Sequence, residues 1–239
     1  MKKYLFFVRV GVMALIGLTA AAAGAAAQDT AYLRNIKDEL QKKWPANRTI
    51  NLVFHGHSVP AGYGRTPDVR TFDAYPHLVG EELKKLYPYA VINIIVTAIG
   101  GENSEQGARR FKKEVLTHRP DVLFIDYALN DRKIGLERAR KSMEKMIRAA
   151  ERRHIRIILL TPSADEQVDL LQPGNELELF AGQIRQLAEK YGTGLADSYS
   201  QFRRIEEKKL NIHDYMAQSN HPNRKGHELI AEEILRYFR

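Results

Sequence analysis

Four short blocks of the chain hold residues suited to acyl transfer. The first is Gly56-His57-Ser58-Val59-Pro60-Ala61-Gly62. Glycines on both sides let the backbone turn sharply and leave the Ser58 hydroxyl presented. The second is Gly100-Gly101-Glu102-Asn103-Ser104, where paired glycines ahead of a helix leave backbone N–H groups free to face an anion. The third is Asn130-Asp131, whose asparagine amide can donate to the same anion, and the fourth is Asn220-His221-Pro222-Asn223. Ester hydrolysis by serine requires a nucleophile, an imidazole base and two or three donors for the oxyanion. Ser58, His221, Gly101 and Asn130 supply that set. Each residue alone has a plainer reading. Ser58 and Gly101 can be turn residues, Asn130-Asp131 can cap a helix, and His221 can precede a helix that starts at Pro222. Together they favour catalysis.

Such residues need a scaffold that brings them to one place. Apolar runs rich in β-branched residues alternate along the chain with amphipathic stretches. Strands are expected at Ile50–Phe54, Ala90–Ile99, Asp121–Tyr127, Ile155–Leu160 and Thr193–Ala196. Helices are expected at Tyr75–Leu86, Ser104–Leu116, Gly135–Arg153, Leu177–Tyr191 and Asn223–Tyr237. Alternation of this kind implies an α/β domain, with a parallel sheet covered on both faces and right-handed crossovers. In open sheets of this type ligands bind at the carboxyl ends of the strands. The first three blocks each follow an expected strand, and the fourth precedes the last helix.

With these blocks in order, the sequence resembles the SGNH (GDSL) hydrolase family, GDSL-like lipases and acylhydrolases. The family is named for a serine, a glycine, an asparagine and a histidine in four blocks, here Ser58, Gly101, Asn130 and His221. The resemblance runs from Ile50 to the C-terminus. It implies a three-layer α/β/α sandwich around a five-stranded parallel sheet, flavodoxin-like in arrangement. It also implies that Ser58 attacks the ester carbonyl, that His221 moves the proton, and that the Ser58 N–H, the Gly101 N–H and the Asn130 amide hold the oxyanion. No metal or organic cofactor is implied. Two positions depart from the family pattern. His57 stands where the family usually has aspartate. Gln218 stands three residues before the histidine, where the family usually has an acid. A glutamine oxygen can accept from the imidazole but cannot stabilise an imidazolium as a carboxylate does. The possible orienters of His221 are therefore Gln218, a backbone carbonyl, or a displaced acid such as Asp214.

Composition bounds the remaining readings. The chain has 239 residues, 44% hydrophobic and 28% charged, and no cysteine, which excludes disulfides, thiolate metal sites and a cysteine nucleophile. Lys2 and Lys3 precede an apolar run that ends in Ala25-Ala26-Ala27, the pattern of a signal peptide over residues 1–27 cleaved near Ala27. A retained membrane anchor is the other reading of that run. Residues 28–49 then form an N-terminal arm of a single domain, 28–239, within which Thr30–Lys43 reads as a short polar helix or arm. The formal charge is +8; 37 basic residues less Lys2, Lys3 and Arg9 leave 34 against 29 acidic, or +5. Bases and acids mix along the expected helices, so the charge reads as solvated faces rather than a nucleic-acid footprint. His55, His57 and His221 admit a three-histidine metal reading, which the serine chemistry outweighs. His227 and Lys225 are expected at the surface of the last helix. Asp197 is expected to be a cap, and Arg65 and Arg70 either meet an acidic substrate or are solvated. The expected protein is a secreted or periplasmic serine esterase acting on a small-molecule or glycan ester, with deacetylation of a carbohydrate favoured. A lysophospholipase or short-chain carboxylesterase is the alternative, and a non-catalytic glycan-binding module on the same fold is the alternative of another class. No nucleic-acid partner and no stable membrane insertion after signal cleavage are expected.

Overall fold

The computed structural model describes residues 31–239; the expected signal peptide lies outside them. Five parallel strands form the central sheet: β1 (Thr49–Gly56), β2 (Val91–Val96), β3 (Val122–Asp126), β4 (Arg156–Leu160) and β5 (Gly194–Ala196), in the order β2-β1-β3-β4-β5. The connecting helices are α1 (Arg34–Gln41), α2 (Ser58–Ala61), α3 (Tyr75–Leu86), α4 (Ser104–Glu114), α5 (Ala128–Asp131), α6 (Leu136–Glu151), α7 (Glu176–Tyr191), α8 (Ser198–Glu207) and α9 (Arg224–Leu235). A two-stranded antiparallel pair, β6 (Met216–Gln218) and β7 (His221–Pro222), precedes α9.

The apolar runs of β1, β3 and β4 become strands buried on both faces, and successive side chains enter different cores. Leu52, Phe54, Val122, Phe124, Ile158 and Leu160 enter one core, which α1, α3, α8 and α9 complete with Leu40, Leu83, Phe202 and Ile234. Val53, Leu123, Ile125, Ile157 and Leu159 enter the other, closed by Phe111 of α4, Met143 and Ile147 of α6 and Ile184 of α7. Phe54 stacks on Phe124 with ring centroids 4.2 Å apart across the β1–β3 pairing. Truncating a ring buried to this degree costs about 3–5 kcal/mol, so Phe124→Ala would strike the centre of the sheet.

The strand order has its topological switch between β1 and β3, the place where such sheets form a ligand crevice. Ser58 follows β1 and Asn130 follows β3, so both open into it. Beyond β2 the chain continues extended. Thr97 N–H donates to the Phe54 carbonyl at 2.9 Å and Ile99 N–H to the Gly56 carbonyl at 3.0 Å. The Gly100-Gly101 turn is thereby carried over the end of β1. The segment Arg34–Gln41, expected within a short helix or arm, folds as a helix that buries Ile36 and Leu40, and Tyr32 Oη accepts from Ile157 N–H at 3.1 Å beside β4. Sequence reading did not anticipate α8 or the β6–β7 pair. Asp197 does cap α8, accepting from Ser200 N–H, as Asn223 caps α9 by accepting from Gly226 N–H. Among the described residues no helix is long and apolar enough to cross a membrane.

Candidate active site

The turn that presents Ser58 is built from contacts that tolerate few substitutions. A Cβ on Gly56 would lie 2.5 Å from the Asp126 carbonyl oxygen, so glycine is required where β1 passes β3. His57 is the N-cap of α2, and its Nδ1 accepts from Val59 N–H at 3.2 Å. An unprotonated Nδ1 places the proton on Nε2, which lies 3.4 Å from Asp126 Oδ1. Asp126 in turn accepts from Tyr75 Oη at 3.1 Å. An imidazole thus caps the turn at the position of His57. Gly62 ends the turn at φ +89°, a left-handed conformation that glycine adopts without strain.

His221 lies on β7 with its ring between two partners. Nε2 is 3.1 Å from Ser58 Oγ, and Nδ1 is 3.2 Å from the Gly64 carbonyl oxygen. A carbonyl only accepts, so Nδ1 carries the ring proton and Nε2 is left bare to receive the Ser58 O–H. Burial holds the His221 pKa below that of an ordinary histidine; the Gly64 carbonyl opposes this by favouring the protonated ring, and His57 adds to the lowering. A neutral imidazole with its bare nitrogen against a hydroxyl can accept that hydroxyl's proton.

The partner of Nδ1 is this carbonyl, not either side chain that sequence reading put forward. Gln218 is engaged with Thr66 instead: its Oε1 accepts from Thr66 N–H at 3.0 Å and its Nε2 donates to Thr66 Oγ1 at 2.8 Å. The physical reason is the strand pairing. β7 turns back on β6 beside the Gly62–Arg70 loop, and the loop offers Gln218 a matched donor and acceptor. Asp214 lines a cleft of about 510 Å³ behind that loop, together with Gly64, Arg65, Arg70 and Lys225. Neither Ser58 nor His221 lines this cleft. Nothing in the sequence marks Gly64 or Thr66 as part of the arrangement, because a backbone carbonyl has no side-chain signature.

The remaining candidates gather around the same crevice. Gly101 takes φ +80° in the turn ahead of α4, and a full capping box, Asn103 with Gln106, fixes the start of that helix. The Asn130 amide donates one hydrogen to the Glu102 carbonyl at 2.9 Å, which leaves its second hydrogen for another acceptor. Glu102 is itself held by Arg110, with Nε–Oε distances of 3.0 and 2.9 Å. Asp131 does not cap its own short helix. Its Oδ1 accepts from Ser104 N–H at 2.7 Å, tying the α4 start to the end of β3, and burial raises its pKa to about 6.

Three further polar side chains near the strand ends and α9 are engaged in structural contacts. His55 is fully buried, with Nδ1 3.0 Å from Thr97 Oγ1 and Nε2 3.1 Å from Tyr127 Oη, and burial lowers its pKa to about 3. Both of its nitrogens are engaged, and the described residues contain no group of three or more ligand-type side chains suited to a metal ion. His227 is not at the surface. It faces inward from α9, accepts from Tyr75 N–H at 3.3 Å through Nδ1, and has its pKa lowered to about 3 by burial. Asp165 is structural, pairing with Arg132 at 2.7 Å.

Comparison with known proteins agrees with this architecture. Residues 54–229 match the GDSL-like Lipase/Acylhydrolase family. An acetylxylan esterase from Geobacillus stearothermophilus superposes with a TM-score of 0.69 at 20% identity, covering 79% of this chain and 94% of its own. A two-domain esterase active on acetylated mannans superposes with a TM-score of 0.69 at 22% identity over 87% of this chain; the match spans 52% of that larger protein. At such identities these two share the fold. No curated protein sequence matches closely enough to count as a relative. The match across most of the chain, on a five-stranded parallel sheet of this order, places the protein in the GDSL-like lipase/acylhydrolase family as a serine carboxylic ester hydrolase.

Proposed function

We propose that this esterase removes acetyl groups from carbohydrates outside the cytoplasm, with Ser58 as nucleophile and His221 as its base. The observation that carries the reading is the ring of His221 held between Ser58 Oγ at 3.1 Å and the Gly64 carbonyl at 3.2 Å. His221 Nε2 takes the Ser58 proton as Oγ attacks the ester carbonyl. The oxyanion is received by the Ser58 N–H at the start of α2, the Gly101 N–H and the free hydrogen of the Asn130 amide. His221 then protonates the leaving alcohol, and the acyl-enzyme is hydrolysed by water through the same steps in reverse order of roles. The Gly64 carbonyl sets the tautomer that an aspartate sets in a triad. Its dipole stabilises the imidazolium less than a full charge would, so more of the catalysis rests on the oxyanion donors, each worth about 10²–10³ in kcat.

The acetylated-glycan substrate is supported by the two structural neighbours, named for activity on acetylated xylan and acetylated mannans. Export is supported by the basic, apolar and alanine-rich pattern of residues 1–27. A fluorophosphonate probe tests the nucleophile: it should label the wild type at Ser58, and Ser58→Ala should abolish both labelling and acetate release from acetylated xylan or mannan. Labelling that persists in Ser58→Ala would remove the mechanism. Hydrolysis of simple esters without acetate release from any glycan would remove the substrate class. N-terminal sequencing of the exported protein tests cleavage near Ala27.

A further inference from the structure

The leaving alcohol must come within hydrogen-bond reach of His221 Nε2, because that nitrogen returns the proton to it. The surface beside His221 therefore meets the alcohol rather than the acyl group. That surface is Tyr63. Its ring centroid lies 6.1 Å from that of His221, tilted by 47°. The tip of the ring rests on Gly100, where a Cβ would come within 2.7 Å of Tyr63 Cζ and 2.8 Å of its Oη. Gly100 thus admits the ring by having no side chain, and the ring reaches from the base to the turn that carries Gly101.

The ring is held there by backbone contacts. Tyr63 N–H donates to the Ser58 carbonyl at 3.1 Å, which fixes it to the nucleophile's own turn. Tyr63 also forms an antiparallel bridge with Val69, flanked by Gly64 N–H to the Asp68 carbonyl at 3.1 Å and Arg70 N–H to the Gly62 carbonyl at 2.7 Å. Bridge partners project to the same face. Tyr63 is 39% exposed and Val69 52% exposed, so an aromatic ring with an aliphatic neighbour stands open to solvent beside the base. The more exposed Trp44 precedes β1, at the opposite end of the sheet from the strand ends that hold Ser58 and Asn130.

A flat aromatic ring with one polar tip matches a pyranose, which presents a face of C–H groups edged by hydroxyls. We infer that Tyr63, extended by Val69, is the platform on which the sugar of the leaving group stacks, making it a specificity-determining residue for acylated sugars over small alkyl esters. The inference rests on the carbohydrate reading of the preceding section.

The test compares wild type, Tyr63→Ala and Tyr63→Phe on acetylated xylo-oligosaccharides and on ethyl acetate, whose alcohol is too small to cover the ring. Tyr63→Ala should lose about tenfold in kcat/KM on the oligosaccharide, carried by KM, as one aromatic contact is removed. Its activity on ethyl acetate should be unchanged, which also shows that the variant is folded. Tyr63→Phe should keep the oligosaccharide activity. Equal losses on both esters would make the ring a support for His221 and overturn the platform. A Phe variant as impaired as the Ala variant would do the same, as would a changed preference between ethyl acetate and ethyl butyrate. A wild type that cleaves ethyl acetate but no acetylated sugar would overturn the carbohydrate reading itself, and the platform with it.

Discussion

Replacing Gln218 with alanine should lower kcat although the Gln218 side chain makes no hydrogen bond to the His221 ring. Its side chain makes two hydrogen bonds to Thr66, at 3.0 and 2.8 Å, two residues beyond the Gly64 carbonyl that faces His221 Nδ1. Both bonds are solvent-exposed, so each contributes near the lower end of the usual range, about 0.5 kcal/mol and about 1 kcal/mol together. The loop keeps its own bonds, including Gly64 N–H to the Asp68 carbonyl and Arg70 N–H to the Gly62 carbonyl. The full loss therefore bounds the effect, at about fivefold in kcat. KM for a small ester should not move, because the substitution touches no substrate. The pH profile distinguishes this from general loosening. The Gly64 carbonyl raises the His221 pKa against the lowering by burial. Weakening that bond lowers the pKa further, so the acid limb of kcat/KM should move to lower pH in Gln218→Ala. The assay is initial-rate hydrolysis of ethyl acetate from pH 4 to 9 for wild type, Gln218→Ala and Asp214→Ala. An unchanged kcat with an unmoved acid limb in Gln218→Ala would refute the positioning argument. A collapse in Asp214→Ala at unchanged stability would show that a carboxylate orients His221 during turnover.

Three further outcomes follow from the same geometry. Ser58→Ala and His221→Ala should each lower kcat by at least about a thousandfold, and the double variant should lose little more, since the two act as one unit; a multiplicative loss would contradict the hydrogen-bonded dyad. Asn130→Ala should cost about 10²–10³ in kcat with little change in KM if the amide faces the oxyanion, and a pure KM effect would place it against the ground state instead. Asp131 has a folded pKa raised to about 6 by burial, above its unfolded value. Its protonated form is favoured on folding, so that contribution is fully present below the unfolded pKa near 3.8 and is lost as pH rises through about 6. Asp131→Asn keeps an acceptor for Ser104 N–H, so its Tm relative to wild type should rise between pH 4 and pH 7; a difference that stays flat would contradict the assigned protonation.

Much of the scaffold was legible in the chain. Runs such as Ile157–Leu160 are apolar on every residue because both sheet faces are covered, and that pattern is local. Sequence reading passes over helix α8, although Asp197 reads as a cap, because the helix it caps is short and largely polar. His227 was misplaced because a helix face is exposed or buried according to its neighbours, and Tyr75 is supplied from a segment 152 residues away.

By itself the sequence determined which residues are candidates for the site. Ser58, Gly101, Asn130 and His221 each follow from residue type and from position at a strand end or ahead of a helix, both of which are local properties. It also determined that no carboxylate stands three residues before His221. What fills that role was decided only by the tertiary structure, which brings the Gly64 carbonyl to His221 across 157 residues and Thr66 to Gln218 across 152. Every residue but proline carries the same backbone donor and acceptor, so only the folded path of the chain selects which carbonyl meets the imidazole.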